Sequence, residues 1–444
     1  MRDMNAIRRV VSIVKGRLAD KPLVVVSALS KVTRILCKIA DEAEAGHVAE
    51  IQKDMQELRD RHISLAKELL SEDAAVLGEC EKDLESILLN LEDYVKGVCM
   101  IGELSPRSYA RIVSCGELLS SKIVAAAMNA NGLSCKWVDA RKMVVTDCNY
   151  MSARPDLDMT EANIRRYIPE EAKGVSVILT QGFIASSSAG YTSVLGFEGS
   201  DYSAAIFGMA LKADRVEIWT DVDGIRTADP RLVECTDRVP EVSYEEASEM
   251  AYLGARVLHP LTTEPARRRN IPVYVLNSAN PSNPGSVVTG DEVKAGPKTV
   301  SLKDDIEYIV VKSAKIPGVS KMLSGVFGTA ESFGIKTLLA SVSESCIAFT
   351  MEHGQPGRDL FMTALREGFD VTVYKDKAQI SVVGKDVVLT DGVQDIMRHC
   401  ASRIFMTCQS PSLLSTSIVV DRRDAQAVVA ALHNMLILRP ISSL

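Results

Sequence analysis

The chain has 444 residues, a hydrophobic content of 46%, 25% charged residues and a net charge of -7, from 51 Lys and Arg against 58 Asp and Glu. That length gives about two to four domains with sizeable cores, and an acidic balance with no Lys/Arg cluster points away from nucleic acid and towards a small-molecule partner. Ten singly scattered cysteines with neither CxxC nor Cys/His metal spacing, no apolar signal core at Met1-Arg2-Asp3-Met4 and no bilayer-length run read as a reduced, cytoplasmic protein with no membrane partner.

Residues 4–17 carry Met4, Ile7, Val10, Val11 and Val14 at helical spacing. The β-branched run 22–29 then reads as a parallel strand buried on both faces, with Ser27, Ser30 and Thr33 at its carboxyl end, where open α/β sheets bind ligands and where the next helix also needs a cap. Residues 41–98 read as a charged helical hairpin, with His62 packed on the apolar stripe between Leu58 and Leu65. Ser114-Cys115-Gly116-Glu117 opens a helix to about Asn129, which puts Glu117 in a first turn, where the dipole favours a carboxylate. A strand at 134–138, a second βα element and a buried strand over 174–184 follow.

That last strand feeds Leu195-Gly196-Phe197-Glu198-Gly199-Ser200-Asp201, a glycine-bounded loop entering the helix that starts at Ser200. Helix-start amides facing such a loop form an anion site, and Asp201 adds a carboxylate suited to Mg²⁺ or a reacting group, although the loop taken alone favours the blander reading of a capped helix after a glycine turn. Beyond it come a strand at 216–224 ending in acidic turn residues, a capping box of Ser243 and Glu246 for a helix over 244–257, His259-Pro260 and a strand at 271–276. The alternation makes residues 1–290 a three-layer α/β domain with a mostly parallel sheet. Residues 291–305 read as a linker, and 306–376 and 377–444 as a tandem pair of ferredoxin-like α+β modules.

The strings VVVSALSKVT (24–33), SCGELLSSK (114–122), QGFI (181–184), LGFEGSD (195–201), WTDVDGIRTADPR (219–231), SYEEASEMAYLGARVLHP (243–260), IPVYVLNSANPSNPG (271–285) and SVSES (341–345) resemble, in order and over nearly the full length, those of the aspartate kinases. The resemblance implies an amino-acid-kinase domain followed by two ACT domains, and ATP- and Mg²⁺-dependent phosphorylation of the β-carboxylate of L-aspartate in the lysine, threonine and methionine pathway. By resemblance Ser27, Thr33, Glu117, Gly199, Ser200 and Asp201 line the aspartate side, with Glu117, Ser200 and Asp201 catalytic and Asp201 on the metal. Thr220, Asp221, Arg226, Arg231 and Arg256 hold the nucleotide, and Ser343 and Glu344 bind an amino-acid effector. Tandem ACT modules imply a homodimer or larger homo-oligomer.

Several positions depart from the family pattern. The family begins with a strand and loop of the form KFGGTSV, and Met1-Arg2-Asp3 aligns just after it. The expectation is that the reading frame continues upstream; otherwise the sheet has a gap and the transfer step lacks its lysine. Phe197 replaces an arginine that holds the substrate carboxylate, so a different amino-acid carboxylate is an alternative substrate, and a catalytically impaired regulatory subunit is a second alternative. Arg256 replaces a lysine. Leu338 and Leu413 replace acidic residues of the effector sites, which predicts weak or absent lysine inhibition.

Overall fold

The structure is a computed structural model describing residues 3–196, 199–255, 260–313 and 318–438. The chain divides into two compact units, Met1–Asp223 with Leu261–Gly285, and Gly224–Pro260 with Ser286–Leu444.

In the first unit, α1 (Met4–Gly16) is capped by Asp3, which accepts from the Ala6 amide at 2.9 Å, and buries Ile7, Val11 and Val14. It leads to β1 (Leu23–Val26), α2 (Val32–Ala45), α3 (Val48–Leu69), α4 (Ala74–Ile101) and α5 (Pro106–Ala130). Then come β2 (Cys135–Trp137), β3 (Val145–Thr146), α6 (Leu157–Glu171), β4 (Val177–Gln181), β5 (Ile184–Ser187), β6 (Thr192–Val194), α7 (Gly199–Leu211) and β7 (Val216–Thr220). The chain leaves the unit for β8 (Glu241–Ser243) and α8 (Tyr244–Tyr252), and returns for α9 (Thr263–Arg268) and β9 (Val273–Asn277).

Strands β1, β4 and β2 form a parallel ladder in the order β1-β4-β2, with Leu23 opposite Ile178. A second parallel pair joins β7 to β9, and β5 pairs parallel with β3 and antiparallel with β6. The α/β class and the mostly parallel pairing agree with the sequence. Three details differ. The 22–29 strand is not fully buried: Leu23, Val24 and Val25 are only half-buried, because β1 stands at the end of its ladder. The 174–184 strand breaks at Gly182, where β4 ends and β5 begins. The helix carrying Glu117 starts at Pro106, capped by Ser105, so Glu117 lies in mid-helix and its burial is not a first-turn dipole effect.

The second unit pairs β8 in parallel with β10 (Ser286–Thr289). It continues with β11 (Thr299–Lys312), α10 (Val319–Ser332), β12 (Thr337–Val342), β13 (Cys346–Glu352), α11 (Arg358–Gly368) and β14 (Asp370–Val383). After these come α12 (Val393–Cys400), β15 (Met406–Gln409), β16 (Ser415–Asp421) and α13 (Ala425–His433). The six strands make one antiparallel sheet, ordered β12-β13-β11-β14-β16-β15. From β11 to β14 the order β-α-β-β-α-β is the ferredoxin-like unit. The second module borrows its fourth strand: Thr299–Lys303, at the start of β11, pairs with Gln379–Val383. Residues 299–305 are therefore strand rather than linker, and 224–260 cluster with the carboxyl-terminal modules rather than with the rest of 1–290. The helices bury separate cores on the sheet, one around Phe349 and Phe361 and one around Ile380, Val429 and Leu432. No described helix is long and apolar enough to cross a membrane, and all ten cysteines are free.

His62 is fully buried in α3, its Nδ1 donating to the Leu58 carbonyl at 2.7 Å while Nε2 finds no partner among the described residues. Burial pushes its pKa down to about 4. A depressed imidazole supports the fold when neutral, so its contribution is intact above about pH 6.5 and is lost as pH falls towards 4, a swing of about 3 kcal/mol. Urea unfolding of wild type and His62→Phe at pH 7.5 and pH 4 is expected to show the difference between them moving by that amount in favour of the variant.

Candidate active site

The site is built where α5 meets the loop leaving β1. Gly116 lets the two approach: a Cβ there would lie 3.1 Å from the Ala28 Cβ and 3.2 Å from Val32 and Leu36. One turn of α5 then holds the loop by its backbone. The Ala28 amide donates to Glu117 Oε1 at 3.2 Å, and the Ser120 hydroxyl donates to the Ser27 carbonyl at 2.8 Å. Glu117 is 3% exposed, and its second carboxyl oxygen is buried without a partner among the described residues. Burial pushes its pKa up to about 8, only partly offset by the Ala28 hydrogen bond. A buried carboxyl with an unmet oxygen beside a strand end is suited to receiving a cation.

The opposite wall is the start of α7. Gly182, at the end of β4, lies so close to it that a Cβ would sit 2.6 Å from the Ser200 Cα, and Phe183 follows with φ +66°. The Phe183 amide donates to the Ser203 hydroxyl, which donates to the Gly199 carbonyl at 2.9 Å. These contacts seat the amino end of a 13-residue helix, with its positive dipole end, against the carboxyl end of the sheet. Gln181 anchors the strand end, accepting from the Ala140 amide at 3.0 Å and donating to Ser121 at 3.1 Å.

Ser27, Ser200 and Asp201 line one cavity of about 540 Å³. Asp201 sits in the first turn of α7, half-buried, and Gly199 opens that turn. Thr33 lies in the first turn of α2, six residues beyond Ser27. A helix-start anion site, a carboxylate at its rim and a buried carboxyl behind the facing loop suit transfer of an anionic group onto a small zwitterionic acceptor.

The amino acid kinase family matches residues 1–277. Lysine-sensitive aspartokinase 3 of Escherichia coli K12 is 31% identical over 446 residues, covering 98% of this chain and 96% of that protein. The chloroplastic aspartokinase 3 of Arabidopsis thaliana is 31% identical over 438 residues, 94% of this chain and 76% of that protein. The crystal structure of E. coli aspartokinase III in complex with aspartate and ADP, in its R-state, aligns with a TM-score of 0.85 at 29% identity, covering 97% of this chain and 96% of that one. The chain belongs to the aspartokinases.

The remaining residues named from the aspartokinase pattern fall in both units. Thr220 ends β7 in the first unit and Asp221 follows it, the Thr220 hydroxyl donating to Asp221 at 3.3 Å. Arg226 and Arg231 fall in the second unit. Arg231 is bound to Asp229, Nε to Oδ1 at 3.0 Å, on an exposed turn. Arg256 and Phe197 lie outside the described residues. Ser343 and Glu344 occupy the exposed turn between β12 and β13, closed by the Ser343 amide on the Cys346 carbonyl at 2.8 Å. Leu413, in the corresponding turn of the second module, holds φ +64°.

Sequence reading missed Ser120, Ser121, Gln181 and Phe183. Ser120 was within reach, since it stands three residues after Glu117 on a helix and so shares its face. Among the described residues no group of three or more His, Cys, Asp or Glu could hold a metal.

Proposed function

We propose that this chain transfers the γ-phosphoryl group of ATP to the β-carboxylate of L-aspartate, giving 4-phospho-L-aspartate at the head of the lysine, threonine and methionine pathway in the cytoplasm. The observation that carries this reading is the cavity that gathers Ser27, Ser200 and Asp201 at the start of α7, with Glu117 behind the facing loop. Phosphoryl transfer asks the protein for positioning and charge neutralisation rather than a nucleophile, and these residues are of that kind. Glu117 receives the substrate ammonium, and Ser27, Thr33 and Ser200 donate to its carboxylates. The α7 amides face the transferring group, and Thr220 and Asp221 hold the nucleotide. The donor set fits Mg²⁺, which binds through one or two carboxylates and substrate phosphates rather than a protein cage, and Asp201 supplies that carboxylate. Bound there, Mg²⁺ neutralises charge on the phosphates.

The carboxyl-terminal modules are proposed to be ACT domains that associate the chain into a homodimer and bind an amino-acid effector at Ser343 and Glu344. Leu338 and Leu413 supply no carboxylate for an effector ammonium, so lysine inhibits weakly. An assay of ATP and aspartate trapped with hydroxylamine tests the reaction. Aspartyl hydroxamate that requires ATP is expected. Hydroxamate from other amino acids but not from aspartate would replace aspartate as the substrate.

A further inference from the structure

Apart from the cavity at Ser27, Ser200 and Asp201, the first unit holds a second one between α4, α5 and the end of β2, with a volume of about 200 Å³. The two share no lining residue. Ser114, Leu118 and Lys122 place it on a face of α5 about a third of a turn round the helix from Glu117, at about 100° per residue. Three cations reach it, Arg111 and Lys122 from α5 and Arg141 from beyond β2, and no Asp or Glu among the described residues lines it. Lys122 pairs with Asp83 at 2.8 Å and Arg141 with Asp139 at 2.7 Å, both aspartates lying outside the lining. Arg111 has no carboxylate partner among the described residues; its guanidinium lies over the Tyr94 ring, 5.3 Å from the centroid. Three cations against two aspartates leave one positive charge in excess.

Hydrogen-bond donors are left over in the same place. Arg141 spends Nε and Nη2 on Asp139 and turns Nη1 to the Thr192 hydroxyl at 3.5 Å. Thr192 also lines the cavity, and its own hydroxyl proton has no acceptor among the described residues. We propose that this cavity binds a small oxyanion, a phosphate or the carboxylate of a compact organic acid, held by Arg111, Arg141, Lys122 and Thr192. A free amino acid is disfavoured, because its ammonium would meet three cations and no lining carboxylate. A nucleotide is too large, since pockets for ligands of that size begin at about 300 Å³. Ile87, Leu118 and the Trp137 ring supply apolar wall for a short hydrocarbon body. The site is thus distinct in chemistry from the proposed aspartate side, where a buried carboxyl awaits an ammonium.

The chain has two tryptophans, so Trp219→Phe leaves Trp137 as the only one. Trp137 is fixed by its Nε1, which donates to Ser121 at 2.9 Å, and Lys122 Nζ lies 3.9 Å from its ring centroid. An anion that draws on Lys122 therefore changes Trp137 emission. The Trp219→Phe chain is titrated with inorganic phosphate, propionate and alanine, at constant ionic strength made up with chloride. A saturable change is expected with phosphate or propionate. Alanine, which is propionate with an ammonium added, is expected to bind at least about tenfold more weakly. Arg111→Gln in the same background should weaken anion binding at least about tenfold, the loss of one charge-assisted contact. Where that variant does not fold, Asn90→Asp, which places a carboxylate in the lining at an exposed position, should weaken it by a similar factor. Saturation by phosphate alone makes the ligand a phosphate, and saturation by propionate makes it an organic acid; either supports the site. Three results overturn it: no saturable change below about 50 mM with either anion, alanine binding as well as propionate, or binding unchanged in the folded variant. Because the readout is emission at Trp137 and the substituted residues stand outside the aspartate side, failure here is separable from failure of the aspartate kinase reading.

Discussion

Replacing Glu117 by Gln is expected to stabilise the protein at pH 8.5 and to leave it little changed at pH 4. The folded-state pKa of about 8 lies above the ordinary 4.5, so the native state binds the proton more tightly than the unfolded chain does. The contribution is fully present below pH 4.5 and is lost as pH rises through 8; a separation of that size corresponds to about 4–5 kcal/mol. Gln copies the protonated carboxyl and has nothing to lose over that range. Urea unfolding of both proteins at the two pH values measures the swing, and a difference that stays constant within about 1 kcal/mol would remove the buried-acid account of this site.

The same residue makes a functional prediction with the opposite sign. An ammonium group arriving beside Glu117 favours the carboxylate, so aspartate binding at pH 7 is expected to release close to one proton. Calorimetry in buffers of different ionisation enthalpy counts that proton directly. Glu117→Gln should release none and should bind aspartate about 30- to 150-fold more weakly, the loss of a charge-assisted contact of about 2–3 kcal/mol. Stability gained and binding lost in one variant is a pattern that a purely structural glutamate does not produce.

What the sequence made legible follows the range of the interactions. The loop 195–201 and the start of α7 are local, written in two glycines and a helix signal, and Ser27, Ser200 and Asp201 do line one cavity. The chemistry of Glu117 is legible in the sequence, but its position is not: the local pattern reads as a first turn, and the residue lies in mid-helix. Ser114-Cys115-Gly116 reads as a break, whereas the stronger start signal, Ser105 before Pro106, lies nine residues earlier than Ser114. Gly116 is required by its neighbour Ala28, a contact 88 positions away that no local pattern encodes. The strand at 299–303 was hidden for a related reason. It completes a module whose other strands come after it, and Ser301 and Lys303 alternate with Val300 and Leu302 in a run that looks like polar linker. The half-exposure of β1 is the counterpart on the other side: a run of valines asks for a neighbour on each edge, and among the described residues β1 pairs only with β4.

Glu246→Ala is expected to be the most damaging single truncation in the second unit. Glu246 is 0% exposed at the third position of α8, and both of its oxygens are used. Oε2 accepts from the Ser243 amide at 2.8 Å, closing the capping box, and from Lys298 Nζ at 2.7 Å; Oε1 accepts from the Lys385 amide at 2.6 Å. Lys298 is itself only 11% exposed along its side chain. Truncation therefore strands a nearly buried ammonium and two backbone donors at once, which costs about 3–5 kcal/mol. Glu246→Gln keeps the volume and one acceptor oxygen but turns an amide group towards a donor, so about half that loss is expected. Lys298→Met leaves the Glu246 carboxylate buried with only its two backbone donors, so a loss of the same order is expected, reduced by what those two hydrogen bonds retain. In the double variant Glu246→Ala with Lys298→Met, the loss should shrink relative to the sum of the singles by about 2 kcal/mol. Denaturant unfolding of the four proteins gives the cycle. Additive losses would mean that Lys298 finds solvent when Glu246 is gone, and that the capping box alone holds α8 to the β11 and β14 ends.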